Sequence, residues 1–262
     1  MFSLYLECEQ AEKDLLIAEL WDRGSHGITE SELPQGRSML RAFFADDDRA
    51  AELALAFAKW SARVEEEPPR DWVALAESRL VPQCVGSRFF LVPRWREDPT
   101  PPGRFRIEVN PGMAFGTGAH ESTQLCLEAL ESEVRPGATV LDIGTGSGIL
   151  AEAAALLGAG RVIVCDIDPI AVELARQKLA FVGTADAVRN ASIDLAVANV
   201  SPEAIINLAP ELMRLLRPQG LAIVSGFEQL ETEAVQIALQ AAGASVRTTC
   251  RKGSWVALVV LA

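Results

Sequence analysis

Residues 140–148, with the sequence VLDIGTGSG, join an apolar segment to a loop that has glycine at alternate positions. Gly144, Gly146 and Gly148 let the backbone turn sharply and let a ligand approach where a Cβ would clash. The N–H groups at the start of the helix predicted after the loop offer hydrogen-bond donors to that ligand. In dinucleotide-binding loops of the type G-x-G-x-x-G the third glycine falls one residue later, so this loop indicates a related but different ligand.

Acidic side chains follow the next predicted strand. Asp166 ends that strand 22 residues after Gly144, where a carboxylate can accept hydrogen bonds from both hydroxyls of a ribose. Asp168 precedes Pro169 at a helix start, and we predict that it is the N-cap of that helix. Asp186 lies where such folds bring a carboxylate near an adenine amine. Because the surrounding segment is short, the sequence leaves it equally open whether or not Asp186 has this role.

Asn199 directly follows the apolar strand predicted over residues 194–198. Open α/β sheets bind their ligands at the carboxyl ends of strands, and the side-chain oxygen of an asparagine can accept an N–H bond from an amine. The alternative is an ordinary cap of the following helix, helped by residues 201–203. Position alone leaves the two roles equally open.

A fourth run, NPGMAFGTGAHEST at 110–123, precedes a predicted helix. Met113 and Phe115 make it too apolar for a simple solvated loop, and it could fold over a bound cofactor and exclude water. His120 could be a base or a metal ligand. Since no His, Cys or carboxylate partners stand at ligand spacing, we predict no metal site and a structural or capping role for His120.

The elements around these motifs predict two domains. Residues 1–66 show the order βαββαβ, which is the ferredoxin-like pattern, and units of this kind often serve in recognition. Residues 67–104 carry charge and proline and predict a connector that contains one strand. The predicted strands are Ser3–Glu7, Ile28–Leu33, Ser38–Ala45 and Ala62–Glu67 in the first unit and Arg88–Val92 in the connector.

From about residue 105 to residue 262, short apolar strands alternate with segments of helical periodicity. Alternating βα units predict a parallel, doubly wound sheet with helices on both faces. A terminal hairpin around residues 252–253 would add an antiparallel strand at the edge. A helix is predicted from Asp168 to Lys178, and no strand between Lys178 and Ile193. The predicted strands are Thr139–Ile143, Arg161–Cys165, Ile193–Ala198, Leu221–Val224, Ser245–Cys250 and Trp255–Leu261.

Composition restricts the kind of protein. Of the 262 residues 49% are hydrophobic and 23% charged, which excludes a disordered or fibrous chain. No apolar run approaches the ~18 residues of a membrane span, the first residues lack the features of a secretion signal, and five scattered cysteines favour a reducing cytoplasm. The net charge of −12 repels nucleic-acid phosphates and would attract a basic partner, although solubility alone explains it equally well.

The chain closely resembles the methyltransferases of large-subunit ribosomal protein eleven, which form the PrmA family of class I S-adenosylmethionine-dependent methyltransferases. Four runs carry this resemblance: NPGMAFGTGAHEST, VLDIGTGSGIL, DIDP and ANV. Residues 24–30, 71–72, 85–88 and 92–95 also look like that family. The likeness runs nearly end to end, and its GTGxH loop is far more specific than the glycine triplet that follows.

The resemblance implies a Rossmann-like catalytic domain joined by a flexible connector to a ferredoxin-like recognition domain. It implies S-adenosylmethionine as cofactor, with the family's cofactor positions mapping onto Thr123, Gly144, Asp166 and Asn199. It also implies methylation of lysine side chains and the α-amine of that ribosomal protein. We expect Gly146, Phe115 and Asp186 to join the cofactor site, and Asn199 to act as the catalytic residue that orients the amine. We further expect a cytoplasmic monomer that binds neither nucleic acid nor membrane.

The sequence departs from the family pattern at several positions. Asn110 and Ser122 replace the usual Asp and Thr, both conservatively. After Asn199 the chain reads Val-Ser-Pro-Glu, and Ala76 and Ser78 stand where an aromatic pair is usual. These last two departures lie near the expected substrate side, so they bear on substrate identity more than on the cofactor.

Three other functions stay open at this point. A related methyltransferase could act on another protein or on a small-molecule amine. A nucleic-acid amino-methyltransferase is disfavoured by the net charge of −12 and by the lack of an N-P-P-aromatic run after Ala198. A cofactor-binding module without activity is disfavoured by the intact glycine loop and by Asn199.

Overall fold

The computed structural model describes residues 2–45, 49–66, 81–109, 118, 120–175 and 179–262. The chain divides into two compact units, Met1–Ala76 and Glu77–Ala262.

The first unit has the predicted ferredoxin-like order. Its four strands form an antiparallel sheet in the order β2-β3-β1-β4. Alternate residues of the two central strands point to one face and bury an apolar core together with both helices. The elements are β1 (Phe2–Glu9), α1 (Lys13–Asp22), β2 (Gly27–Leu33), β3 (Arg37–Phe44), α2 (Ala50–Ala56) and β4 (Arg63–Glu66).

The second unit begins with a small three-stranded sheet. Its strands are β5 (Gln83–Val85), β6 (Phe89–Pro93) and β7 (Phe105–Val109). All five residues of β6 are buried, and the sheet packs into one core with helix α3 (Glu121–Glu133). Residues 83–93 were predicted within a connector, and in the structure they belong to this second unit.

A seven-stranded sheet in the order β10-β9-β8-β11-β12-β14-β13 forms the centre of the second unit. Its first five strands are parallel, β14 is antiparallel to them, and β13 at the edge pairs antiparallel with β14, which confirms the predicted Rossmann-like sheet with a terminal hairpin. The strands are β8 (Thr139–Ile143), β9 (Arg161–Asp166), β10 (Leu179–Val182), β11 (Ile193–Asn199), β12 (Leu216–Glu228), β13 (Ser245–Lys252) and β14 (Trp255–Leu261).

The helices of this unit are α4 (Ile149–Leu156), α5 (Pro169–Leu174), α6 (Pro202–Leu215) and α7 (Thr232–Ala241). Cores lie on both faces of the sheet, one with α6 and α7 and the other with α3 and α4. Strands β8 and β11 are therefore buried on both sides, which explains their largely apolar sequences.

Two details of the prediction were wrong. The helix after Asp168 ends at Leu174 and does not reach Lys178. The chain also forms strand β10 at Leu179–Val182, where no strand was predicted, and β10 pairs in parallel with β9. Because three of its four residues are exposed, its sequence lacks the buried apolar pattern of an inner strand. Within the described residues, no helix is long and apolar enough to cross a membrane.

Candidate active site

The glycine loop between β8 and α4 lies at the carboxyl edge of the sheet, as predicted. Gly144, Gly146 and Gly148 have φ angles of +69°, +53° and +80°, which residues with a side chain rarely adopt. A Cβ at Gly144 would lie 2.5 Å from Cγ1 of Val200, and one at Gly148 would lie 2.7 Å from Cα of Ala175. The loop therefore needs glycine both for its backbone angles and for its close approach to neighbouring segments.

Asp166 ends β9 beside this loop. Its Oδ2 accepts a hydrogen bond from the N–H of Gly146 at 3.0 Å, and its Oδ1 accepts one from the N–H of Asp168 at 3.0 Å. The carboxylate thus has a fixed orientation, and each oxygen keeps a further lone pair for a ligand hydroxyl. The Oδ1 of Asp168 accepts a bond from the N–H of Ile170 at 2.9 Å, which confirms Asp168 as the N-cap of α5.

Asn199 and Thr123, which are 76 residues apart, are in direct contact. Asn199 Nδ2 donates to Thr123 Oγ1 at 3.2 Å. Asn199 is half-buried at the end of β11, and Thr123 is buried in the first turn of α3. The N-cap of α6 is Ser201, whose Oγ accepts from the N–H of Ala204 at 3.3 Å. The capping role considered for Asn199 is therefore filled by another residue.

His120 is the N-cap of α3, which confirms the predicted capping role. Its Nδ1 accepts a bond from the N–H of Ser122 at 3.3 Å, and the ring meets Trp255 edge-on with 4.3 Å between centroids. No group of three or more metal-ligating side chains occurs in the described parts of the chain.

Asp186 lies in a short 3-10 turn, Ala185–Ala187, that follows β10. Its exposed carboxylate accepts a hydrogen bond from the hydroxyl of Thr184, and this bond lowers the pKa of Asp186 below its ordinary value. Asp186 therefore stays ionised at neutral pH, next to the strand that ends in Asp166. Phe115 and Met113 lie outside the described residues, as do Asp71, Trp72, Ala76 and Ser78.

Asp142, for which no role was predicted, is fully buried beside the glycine loop. Its Oδ2 accepts bonds from Thr145 Oγ1 at 2.7 Å and from the N–H of Ala151 at 3.2 Å, while its Oδ1 is buried and has no partner among the described residues. Burial raises the pKa of Asp142 to about 7, although the Thr145 hydroxyl opposes the rise. The signal in the sequence is a single carboxylate inside the apolar strand Val140–Ile143.

Gly226, another residue that sequence analysis missed, shapes the backbone next to Asn199. It interrupts the pairing of β12 with β14 between Ser225 and Phe227. Its φ is +99°, and an added Cβ would lie 2.1 Å from the carbonyl oxygen of Val200. Only a residue without a side chain leaves room there for the turn that follows Asn199.

We expect Gly226→Ala to lower the free energy of unfolding in urea by about 3 kcal/mol, because it adds a backbone clash to an unfavourable φ. Gly243→Ala is the matched control. Its φ is +102° but nothing lies within 4 Å of the added Cβ, so the expected loss is about 1 kcal/mol. Equal losses in the two variants would contradict a tight contact at Gly226.

The parallel order β10-β9-β8-β11-β12, the glycine loop after β8 and the acid at the end of β9 define a class I S-adenosylmethionine-dependent methyltransferase. Residues 6–262 match the family model described as ribosomal protein L11 methyltransferase (PrmA). The chain therefore belongs to the ribosomal protein L11 methyltransferase family.

Individual relatives agree with this assignment. The chain is 41% identical over 204 residues to the ribosomal protein L11 methyltransferase of Pelobacter propionicus, with 72% of this chain and 66% of that protein covered. It is 39% identical over 248 residues to that of Pelotomaculum thermopropionicum, with 88% and 80% covered. The crystal structure of a ribosomal protein L11 methylase from Lactobacillus delbrueckii subsp. bulgaricus is 32% identical, with a TM-score of 0.62, and the match covers 68% of this chain and 97% of that one.

Proposed function

We propose that this protein transfers methyl groups from S-adenosylmethionine to lysine side chains and the α-amine of ribosomal protein L11. Membership of the family supports the reaction class and the substrate. The observation that carries the proposal is the contact between Asn199 and Thr123 beside the glycine loop. This contact leaves an amide oxygen at the carboxyl edge of the sheet, where open α/β sheets bind ligands.

The residues of the site fit the cofactor. The two remaining lone pairs of Asp166 suit the two hydroxyls of a ribose, and a loop with glycine at alternate positions lets a ligand approach its backbone closely. Ile167, which is 78% exposed directly after Asp166, offers an apolar surface to a purine. Asp186 lies in the turn that follows the neighbouring strand β10, and we assign to it a hydrogen bond from the adenine amine. When bound, the cofactor supplies a methyl group attached to a sulfonium sulfur. The thioether that remains after the transfer is a good leaving group.

The protein's part in the transfer is to deliver a neutral amine in line with that methyl group. An ordinary lysine amine has a pKa of ~10.4, and burial next to a positive charge lowers it. Within the described residues, no donor is bonded to Asn199 Oδ1, so this oxygen can accept an N–H bond and direct the nitrogen lone pair. Positioning of this kind can supply much of the rate.

We assign substrate recognition to residues 1–66 and catalysis to residues 105–262, with β5 and β6 packed as part of the catalytic unit, so that the connection is confined to the segment before β5. The net charge of −12 favours a basic protein substrate. We propose that the enzyme acts as a monomer in the cytoplasm, and that Phe115 closes over the cofactor and excludes water.

Mass spectrometry of purified L11 after incubation with this protein and S-adenosylmethionine tests the proposal. We expect L11 to gain mass in steps of one methyl group, and L11 whose amines have been acetylated beforehand to gain none. Methylation of other lysate components with labelled cofactor, but not of L11, would favour the second candidate, a methyltransferase of another protein or of a small-molecule amine.

A further inference from the structure

A cavity of about 380 Å³ opens at the opposite edge of the seven-stranded sheet from the candidate active site. Thr139 and Arg161, the first residues of β8 and β9, line it. Strand β9 runs from Arg161 in this cavity to Asp166 in the active site. At ~3.3 Å per residue, the two residues are roughly 16 Å apart along the strand. The cavity is therefore distinct from the cofactor site.

The floor of the cavity is apolar and includes an aromatic ring. Arg161 and Ile163 lie two residues apart on β9 and so point to the same face of the sheet. Because Phe181 pairs with Cys165 and Leu179 with Ile163, Phe181 projects from that face as well. Val188 and Ala187 also line the cavity. The lining therefore combines apolar side chains with arginines.

One wall of the cavity, residues 185–192, is held rigidly by Arg214 of α6. The guanidinium of Arg214 donates to the carbonyl oxygens of Ala185 at 3.1 Å and Val188 at 2.8 Å, and it pairs with Glu211 at 2.6 Å. The hydroxyl of Ser192 donates to the carbonyl of Arg189 at 2.6 Å. A wall fixed in this way loses little conformational entropy when a ligand binds.

The opening carries an excess of positive charge. Arg161, Arg189 and Arg217 all line it. Arg217 pairs with Asp194 at 2.5 Å, whereas Arg161 and Arg189 have no carboxylate partner in the described part of the chain. Two unpaired guanidinium groups that share one cavity are unexpected in a protein with a net charge of −12, and guanidinium groups bind phosphate through paired N–H bonds.

We propose that this cavity binds a nucleoside monophosphate, with the phosphate at Arg161 and Arg189 and the base on Phe181. An aromatic ring next to arginines is suited to a nucleobase with its phosphate, and the volume lies in the range of small-molecule sites. The nucleotide could be free or part of an RNA strand. The cavity admits a single unit and the net charge of the protein repels a long polyanion, so we assign the free nucleotide.

Calorimetric titration with uridine monophosphate tests the proposal on the full chain saturated with S-adenosylhomocysteine, so that the cofactor site is filled. We expect submillimolar binding, and at least tenfold weaker binding of uridine and of inorganic phosphate, because each lacks one half of the ligand. Arg161→Gln, Arg189→Gln and Phe181→Leu should each weaken binding at least tenfold. Arg251→Gln, an exposed arginine on β13, is the matched control and should bind normally.

Retained binding of S-adenosylhomocysteine shows that each variant is folded. The proposal is overturned if uridine monophosphate does not bind, if inorganic phosphate binds equally well, or if Arg251→Gln weakens binding as much as the cavity variants do. Hexauridylate should bind more weakly than the mononucleotide. Tighter binding of hexauridylate would overturn the assignment to a free nucleotide and make RNA the source.

Discussion

Replacing Asn199 with alanine should lower the turnover of L11 methylation about 100-fold, the scale expected when a reacting group loses its alignment. The substitution removes the amide oxygen that accepts the amine N–H, while Asp166 and the glycine loop keep their hydrogen bonds to each other. The dissociation constant of S-adenosylhomocysteine, measured by calorimetry, should therefore change far less than the turnover number.

Thr123→Val is the companion variant, because it keeps Asn199 but removes the hydroxyl that accepts the bond from Asn199 Nδ2. We expect its turnover number to lie between that of the wild type and that of Asn199→Ala. Equal losses of turnover and of cofactor affinity in Asn199→Ala would show that Asn199 only holds the cofactor, and would contradict its role in orienting the amine.

The contribution of Asp142 to the free energy of unfolding should fall as the pH rises from about 4 to about 7. Burial raises the pKa of this carboxyl from 3.8 to about 7 in the folded protein. Between these values the folded state holds a proton that the unfolded state has released, so the contribution of Asp142 to stability is fully present below pH 4 and is lost as the pH rises through 7. The full loss from this group is about 4 kcal/mol.

Urea denaturation of the wild type and of Asp142→Asn between pH 5 and pH 8 checks this expectation. The difference in stability between the two should shift steadily in favour of the variant as the pH rises, since asparagine does not ionise. Thr145→Val, which removes the hydroxyl that lowers the pKa of Asp142, should move the transition to higher pH. A difference that stays constant across this range would show that Asp142 does not titrate there.

Periodicity predicted the fold well where strands are buried. Strand β8 was predicted at its observed bounds because both of its faces are covered, so that its sequence is mainly apolar, with Asp142 as the one charged residue. Strand β10 was missed because Leu179 and Val182 are exposed at the sheet edge. The strand also has only four residues and pairs with a single neighbour, so its sequence lacks the apolar pattern of a buried strand.

The site was predicted residue by residue but not as a set of contacts. Asn199 and Asp166 follow from their positions at strand ends, whereas the bond between Asn199 and Thr123 depends on packing between distant segments. Gly226 has no local signal, because its importance comes from the carbonyl of Val200. The arginine cavity was missed for the same reason, since Arg161, Arg189 and Arg217 meet only after the sheet has formed.

Val200 fills the space between two glycines, and this has a consequence for how the sequence can evolve. The atom that excludes a Cβ at Gly144 is Cγ1 of Val200, whereas the atom that excludes one at Gly226 is the carbonyl oxygen of Val200. A shorter side chain at position 200 would relieve the first conflict, but every amino acid carries the second. Substitutions at 144 and 200 should therefore be epistatic, while position 226 has no compensating partner and should remain glycine across descendants of this gene.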